Sequence, residues 1–301
     1  IMTAYNTMAV LACGTMGTAI LSGVLDCRRS QEAGNQPPEL SSSVISEEET
    51  VPLPENYIAT VNRAESKRRL ERTFEEEGHQ VEVLQQNNVD AARRADVVLI
   101  CSKPQLLPHV LQEEGMQDAL KDKLLISIAA GVTIKQIEKY APTARVVRAM
   151  PNTPSKIREG MTVISQLSSS SPESDKALLK TIFSAVGRCR FLDEKHFDAA
   201  TALAGSGPAF TTLFLEAMTD GGVMMGLPRP EALELAAQTI QGAARMVLQT
   251  GRHPAAIKDS VTTPGGCTIA GLLQMEDGRL RSTVARSIQT AAEHAAGLGK
   301  D

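Results

Sequence analysis

One feature limits most sharply what this chain can fold into: an apolar run that ends in a glycine-bearing turn and resumes at helical spacing. Residues 8–12 read as a buried strand, Cys13-Gly14-Thr15-Met16-Gly17 follows at once, and residues 19–25 carry apolar side chains at a helical period. Strand-like runs recur at residues 57–61, 81–84, 96–102, 124–129, 146–150 and 161–165, with helical segments such as 65–77 and 133–139 between several of them. This alternation predicts an α/β fold with a mostly parallel sheet covered on both faces. The runs ending at Ser102 and Ala130 are apolar nearly throughout, as strands buried on both faces must be.

After about Phe191 the texture changes. Ala, Leu, Met and Gln dominate, and residues 208–225, 229–249 and 279–296 show helical periodicity. The expected organisation is an α/β domain over residues 1–193 and an all-α domain over residues 194–301. Helices so rich in Ala and Met, with wide apolar faces, exceed what a small helical domain hides alone, so a homo-oligomeric interface is expected. Residues 28–56 are polar, acidic and rich in Pro and Ser, and read as a surface insertion with weak or no order. Such an insertion is thermodynamically cheap, since each doubling of loop length costs only ~0.6 kcal/mol.

Composition removes several classes of function. A net charge of -4 gives no basic excess for nucleic acid, and 3% aromatics with no Trp gives no stacking platform. No apolar run approaches the ~18 residues of a membrane span, and no secretory signal is evident. The five cysteines, Cys13, Cys27, Cys101, Cys189 and Cys267, form no C-x-x-C, and no histidine shares metal-type spacing with another or with Cys. Neither a disulfide framework nor a metal site is expected. A reducing compartment follows, with the cytoplasm as first expectation and a mitochondrial location as the alternative.

The opening turn matches the dinucleotide fingerprint G-x-G-x-x-G as Ala12-Cys13-Gly14-Thr15-Met16-Gly17. Gly14 lets the backbone approach a pyrophosphate, Gly17 permits close helix–strand packing, and the helix N-terminus offers free N–H groups. Alanine resists positive φ, so the first turn is expected to differ from the glycine form. The end of the second strand separates the cofactors. Val61 runs into Asn62 and Arg63, with Ser66 and Lys67 a turn further, and an amide with a guanidinium suits a 2′-phosphate where a carboxylate would repel it. NADPH is therefore expected over NADH; the alternative is that Arg63 and Lys67 only solvate a helix start. Other strand ends carry small or polar groups for the same crevice: Ser102-Lys103-Pro104, Ala129-Ala130-Gly131 and Met150-Pro151-Asn152. Loop punctuation is the competing explanation for these.

A second candidate segment is Thr263-Pro264-Gly265-Gly266-Cys267-Thr268, which leads into a helical run. Consecutive glycines before a helix expose backbone N–H groups that match a carboxylate. The Thr268 hydroxyl either caps the helix or reaches a ligand.

Taken together, these motifs resemble the Δ1-pyrroline-5-carboxylate reductase family. The resemblance rests on residues 13–17, Asn88, residues 102–105, 127–131, 148–154, 205–210, 220–228 and 262–270, in order along nearly the whole chain. It implies a Rossmann-like domain followed by an all-α dimerisation domain that interlocks with a second subunit, in a homodimer that can assemble further. The implied reaction is hydride transfer from NADPH to a cyclic imine, 1-pyrroline-5-carboxylate, giving L-proline in the final step of proline biosynthesis. By the same resemblance Asn88 contacts the nicotinamide end of the cofactor. The N–H groups of Gly265, Gly266 and Cys267 hold the substrate carboxylate, and the Thr268 hydroxyl meets the imine nitrogen. Two rivals stand beside this reading. One is a β-hydroxyacid dehydrogenase-like enzyme using Lys258; the other is a non-enzymatic NADPH sensor on the same fold.

Overall fold

The computed structural model describes residues 5–33 and 51–297 of the 301-residue chain. β1 (Thr7–Leu11) leads into α1 (Thr15–Glu32), and β2 (Asn56–Val61) into α2 (Ala64–Glu76). β3 (Glu82–Gln85), α3 (Asn88–Arg94), β4 (Val97–Ile100), α4 (Leu107–Leu111) and α5 (Met116–Ala119) follow. Then come β5 (Leu124–Ser127), α6 (Ile134–Glu138), β6 (Arg145–Met150), β7 (Gly160–Ser165), α7 (Glu173–Ser184) and β8 (Gly187–Leu192). The remainder is helical: α8 (Phe197–Ala200), a π turn (Thr201–Gly205), α9 (Gly207–Met224), α10 (Arg229–Thr250), α11 (Pro254–Ser260), α12 (Cys267–Asp277) and α13 (Leu280–Ala295).

The strands form one sheet in the order β3-β2-β1-β4-β5-β6-β7-β8. All pairings from β3 through β6 are parallel, so the mostly parallel, Rossmann-like sheet expected from the sequence is present. Alternation along each strand explains why these runs are apolar throughout. Met8, Val10, Val97, Leu99, Leu124 and Ile126 pack toward α1 and α7, while Ala9, Leu11, Val98, Ile100 and Leu125 pack toward α3, α4 and α5. Every one of them is fully buried. Full burial stabilises by about 1.5–3 kcal/mol for each large aliphatic side chain.

β7 runs antiparallel to β6 for a reason of length. The link over residues 151–159 is mostly a 3-10 turn, shorter than the dozen or so residues of a parallel crossover. α7 supplies such a crossover between β7 and β8, which are parallel. The sequence reading passes over both α7 and β8. The signal for α7 is nevertheless present, since Leu178, Leu179, Ile182 and Phe183 repeat at helical spacing and are fully buried. β8 is an edge strand with Arg188 and Arg190 between its apolar positions, which hides it.

The insertion expected over residues 28–56 is corrected at both ends. α1 continues to Glu32, because Arg28 bonds to Glu32 along the helix and to the Pro54 carbonyl at 3.0 Å across from it. Leu53 is buried in the core and β2 begins at Asn56. Residues 34–50 of that expectation lie outside the described residues.

Two compact units emerge. The first ends at Gly205 and includes the described residues from Ala292 onward; the second is Ser206–Ala291. The sequence texture changes earlier, at Asp193. In the second unit α9 and α10 pack together, yet among its described residues only Thr219, Ala232, Ala236 and Ile257 are buried. Leu213, Met224, Met225, Leu235 and Leu273 are all more than half exposed. A face this apolar is characteristic of an association surface.

Candidate active site

Strand register assembles a candidate site on the first unit. Leu11 pairs with Ile100, Ile100 with Ser127, and Ser127 with Arg148, while Val10 pairs with Ala59 next to Thr60. Cys13, Asn62, Ser102, Ala129 and Met150 each stand two residues beyond that row. They share the carboxyl edge of the sheet, where neighbouring strands lie ~4.8 Å apart. The strand order reverses between β1 and β4, and crevice ligands bind at such a switch point.

The β1–α1 turn is built for an anion. Gly14 is the N-cap of α1, no side chain caps that end, and its first turn carries no acidic residue. The first helical bond is Thr18 N–H to Gly14 O, which leaves the N–H groups of Thr15, Met16 and Gly17 before it. A Cβ at Gly14 would meet nothing nearer than Ala12 O at 4.0 Å. At Gly17 a Cβ would press on Cys101 Sγ, Val10 Cγ1 and Cys13 Sγ at 3.0–3.2 Å, so glycine is required there by packing. The expectation that alanine changes the first turn is corrected: Ala12 adopts φ 53, the left-handed conformation itself. Its N–H bonds to Thr60 Oγ1 at 3.0 Å, and the Cys13 N–H bonds to Thr60 O at 2.7 Å. Burial pushes the Cys13 thiol up to about 12, so it stays neutral beside the turn.

Other expected contacts divide into groups that face outward and groups bonded within the chain. The Ser102 hydroxyl is buried at the end of β4 without a hydrogen-bond partner among the described residues. Arg63 is the exposed N-cap residue of α2 beside Asn62, and its guanidinium has no ion-pair partner among the described residues. Lys67 instead faces Glu71 at 3.7 Å. Lys103 and Ala130 are exposed, Pro104 and Pro151 partly so, and Ala129 and Met150 are buried.

Asn88 and Asn152 each have one donor and one acceptor bond of the amide made within the chain. Asn88 accepts from the Thr60 hydroxyl at 2.5 Å and donates to Glu113 at 2.6 Å. Asn152 accepts the Met161 N–H at 2.8 Å and donates to Ala204 O at 3.0 Å.

A separate candidate segment lies on the second unit. Gly266 N–H donates to Thr263 O at 3.1 Å, with Pro264 leading and Gly265 at φ 68, a type II turn. A Cβ at Gly266 would fall 2.5 Å from Thr263 Oγ1. The expectation that the Gly266 N–H faces a carboxylate is thereby corrected, since the turn uses that donor. The N–H groups of Gly265, Cys267 and Thr268 remain. Gly266 is the N-cap of α12, which has no side-chain cap and no acidic residue in its first turn, so Thr268 is not the cap. The Thr268 hydroxyl is half-buried and makes no hydrogen bond among the described residues. Lys258, the proton donor of the dehydrogenase alternative, pairs with Asp259 at 2.8 Å.

Sequence reasoning missed Thr60, Glu113 and Glu194 altogether and gave no role to Arg148. Arg148 is buried, donates to Glu194 at 2.7 Å and stacks 4.6 Å over the Phe197 ring. Nothing local marks such residues, because their partners lie 25–60 positions away in the chain, from Asn88 and Glu113 at 25 to Ile134 and Glu194 at 60. Among the described residues no group of three His, Cys, Asp or Glu is placed to hold a metal ion, and no helix is long and apolar enough to cross a membrane.

Similarity to known proteins runs over both units. Residues 194–298 match the family described as pyrroline-5-carboxylate reductase dimerisation, and residues 7–131 match NADP oxidoreductase coenzyme F420-dependent. A pyrroline-5-carboxylate reductase of Lophium arboricola is 47% identical, over 98% of this chain and 93% of that protein. One from Schizosaccharomyces pombe is 46% identical over 97% and 98%. The solved pyrroline-5-carboxylate reductase of Coxiella burnetii superposes with a TM-score of 0.79 at 30% identity, covering 99% of this chain and 100% of that one. The Plasmodium falciparum pyrroline carboxylate reductase, solved with NADP bound, gives 0.77 at 27% identity and covers 98% of both chains.

Proposed function

This chain belongs to the pyrroline-5-carboxylate reductase family, and from that premise we propose how its residues carry the reaction. It is an oxidoreductase that reduces 1-pyrroline-5-carboxylate to L-proline with NADPH, the final step of proline biosynthesis. One observation carries the assignment of residues. The helices α1 and α12, one in each compact unit, both begin at a glycine N-cap with neither a side-chain cap nor an acidic residue in the first turn. Two such ends suit two anions, a pyrophosphate and a carboxylate.

The unpartnered Ser102 hydroxyl and the open space at Gly14 fit a dinucleotide. When bound, NADPH supplies the hydride. Within the turn from Cys13 to Gly17, the free N–H groups of Thr15, Met16 and Gly17 would hold the pyrophosphate, and Arg63 with Asn62 would receive the 2′-phosphate. Ser102, Lys103, Pro104, Ala129, Ala130, Met150 and Pro151 border the rest of the crevice. The N–H groups of Gly265 and Cys267 donate to the substrate carboxylate. Thr268 Oγ1 fixes the ring nitrogen, whose own protonation makes the imine carbon electrophilic without an acid from the chain.

The family's dimerisation domain makes the protein a homo-oligomer. The finer reading, that two C-terminal domains interlock, draws on the exposed leucines and methionines of α9, α10 and α12. We place the enzyme in the cytoplasm on its five free cysteines, a reading that cell fractionation tests.

The assay for the whole reading is NADPH consumption with 1-pyrroline-5-carboxylate, repeated with NADH and with the six-membered piperideine-6-carboxylate. Rapid NADPH loss with the five-membered ring is expected. Loss of neither cofactor with either ring would leave the fold without the chemistry.

A further inference from the structure

We propose that Thr60 is a positioning residue for the cofactor turn, holding Ala12 in the left-handed conformation that alanine otherwise avoids. The proposal rests on the assignment of residues 12–17 as the pyrophosphate cradle. The first fingerprint position favours glycine because the chain there takes a positive φ, and this chain has alanine at φ 53. For an L-residue that conformation is disfavoured by roughly 5- to 30-fold in population. Something beyond the turn must hold it.

Thr60 is fully buried on β2 and grips two successive peptide groups. Its main-chain oxygen accepts the Cys13 N–H at 2.7 Å, and its hydroxyl oxygen accepts the Ala12 N–H at 3.0 Å. The hydroxyl is itself fixed. Its proton goes to Asn88 Oδ1 at 2.5 Å, and Asn88 Nδ2 donates onward to Glu113 Oε1 at 2.6 Å. A carboxylate accepts but never donates, so Glu113 dictates which way the Asn88 amide faces. The amide oxygen then captures the Thr60 proton, leaving the hydroxyl lone pairs toward Ala12. The relay runs in one direction from the strained turn to a negative charge, and its inner members, Thr60 and Asn88, are at most 5% exposed. Buried networks satisfied in this way make one geometry unique.

The test compares wild type, Thr60→Val, Thr60→Ser, Ala12→Gly and the Ala12→Gly/Thr60→Val double variant in the full-length enzyme. NADPH dissociation constants come from fluorescence titration, KM and kcat from steady-state turnover, and Tm from thermal unfolding. Thr60→Val is expected to raise Kd and KM for NADPH by roughly 5- to 30-fold with kcat unchanged. Thr60→Ser keeps the hydroxyl and should behave as wild type. Glycine at position 12 has no bias to overcome, so the double variant should recover NADPH affinity while keeping the lowered Tm of Thr60→Val. Thr60→Ala repeats the comparison should the valine methyl prevent folding. Unchanged NADPH affinity in Thr60→Val, or a double variant as weak as Thr60→Val, would overturn the proposal and reduce Thr60 to a stabilising residue. Wild type that fails to bind NADPH would instead sink the assignment of the cradle, and this proposal with it.

Discussion

The Arg148 guanidinium meets the Glu194 carboxylate at 2.7 Å, and the same carboxylate oxygen accepts the Ile134 N–H at 2.8 Å. One atom thus ties β6 to the N-terminus of α6, closing the Ala129–Thr133 stretch at the carboxyl edge of the sheet. Arg148 is only 6% exposed, so removing this partner leaves a buried charge uncompensated. Glu194→Gln should destabilise the protein by about 1–3 kcal/mol, measured by urea unfolding. Adding Arg148→Met should restore part of that loss, since no buried charge is then left alone. Equal destabilisation in single and double variants would mean that the pair contributes only through packing.

The role proposed for Arg63 bears on the choice between the two nicotinamide cofactors. Arg63→Ala should lower kcat/KM with NADPH by about 10- to 100-fold, the worth of a charge-assisted contact, and leave NADH turnover unchanged. Equal losses with both cofactors would move the 2′-phosphate to another residue.

The substrate loop separates orientation from binding. Thr268→Ala should lower kcat by ~10²–10³, by analogy with a lost oxyanion donor, with NADPH affinity intact. Gly266→Ala forces its Cβ against Thr263 Oγ1, 2.5 Å away, and so should raise KM for the imine by displacing the turn. Normal turnover in Thr268→Ala would remove that hydroxyl from the mechanism.

Alkaline pH should destabilise the fold through Tyr57. Its hydroxyl is buried, and burial pushes the phenol up from 10.0 to about 12 against the opposing pull of the nearby Arg28 guanidinium. Tyr5 is raised as well, first by burial and then by Asp175. A raised acid favours folding below its unfolded value, and that contribution disappears as the pH climbs through the folded one. Stability should therefore fall between about pH 10 and 12, by about 2–3 kcal/mol for Tyr57 alone. Urea unfolding across that window checks it, and Tyr57→Phe should flatten the slope.

Association should depend on the exposed face of α10. Leu235 is 57% exposed in the single chain. Leu235→Arg should shift the homo-oligomer toward monomer in light scattering coupled to gel filtration. An unchanged mass would exclude that face from the interface.

Much of this was legible in the linear chain. Continuous apolar strands alternating with helices specify a parallel sheet, because only a sheet buried on both faces tolerates them. Gly14, Gly17, Arg63 and the Thr263–Thr268 turn stand out because each signal lies within a few residues. α7 was missed although its apolar spacing is helical, and β8 because its arginines alternate with its apolar positions at an edge.

What the sequence determines by itself is therefore local: periodicity, turn chemistry, and which helix ends stay open to an anion. What only the tertiary structure decides is which distant groups meet. Ala12 keeps the glycine-like turn because Thr60 on the neighbouring strand accepts its N–H, and the Asn88 and Asn152 amides meet partners far along the chain. Those outcomes depend on strand register and sheet order. Both are set by burial of the whole apolar surface, a property that no short segment contains.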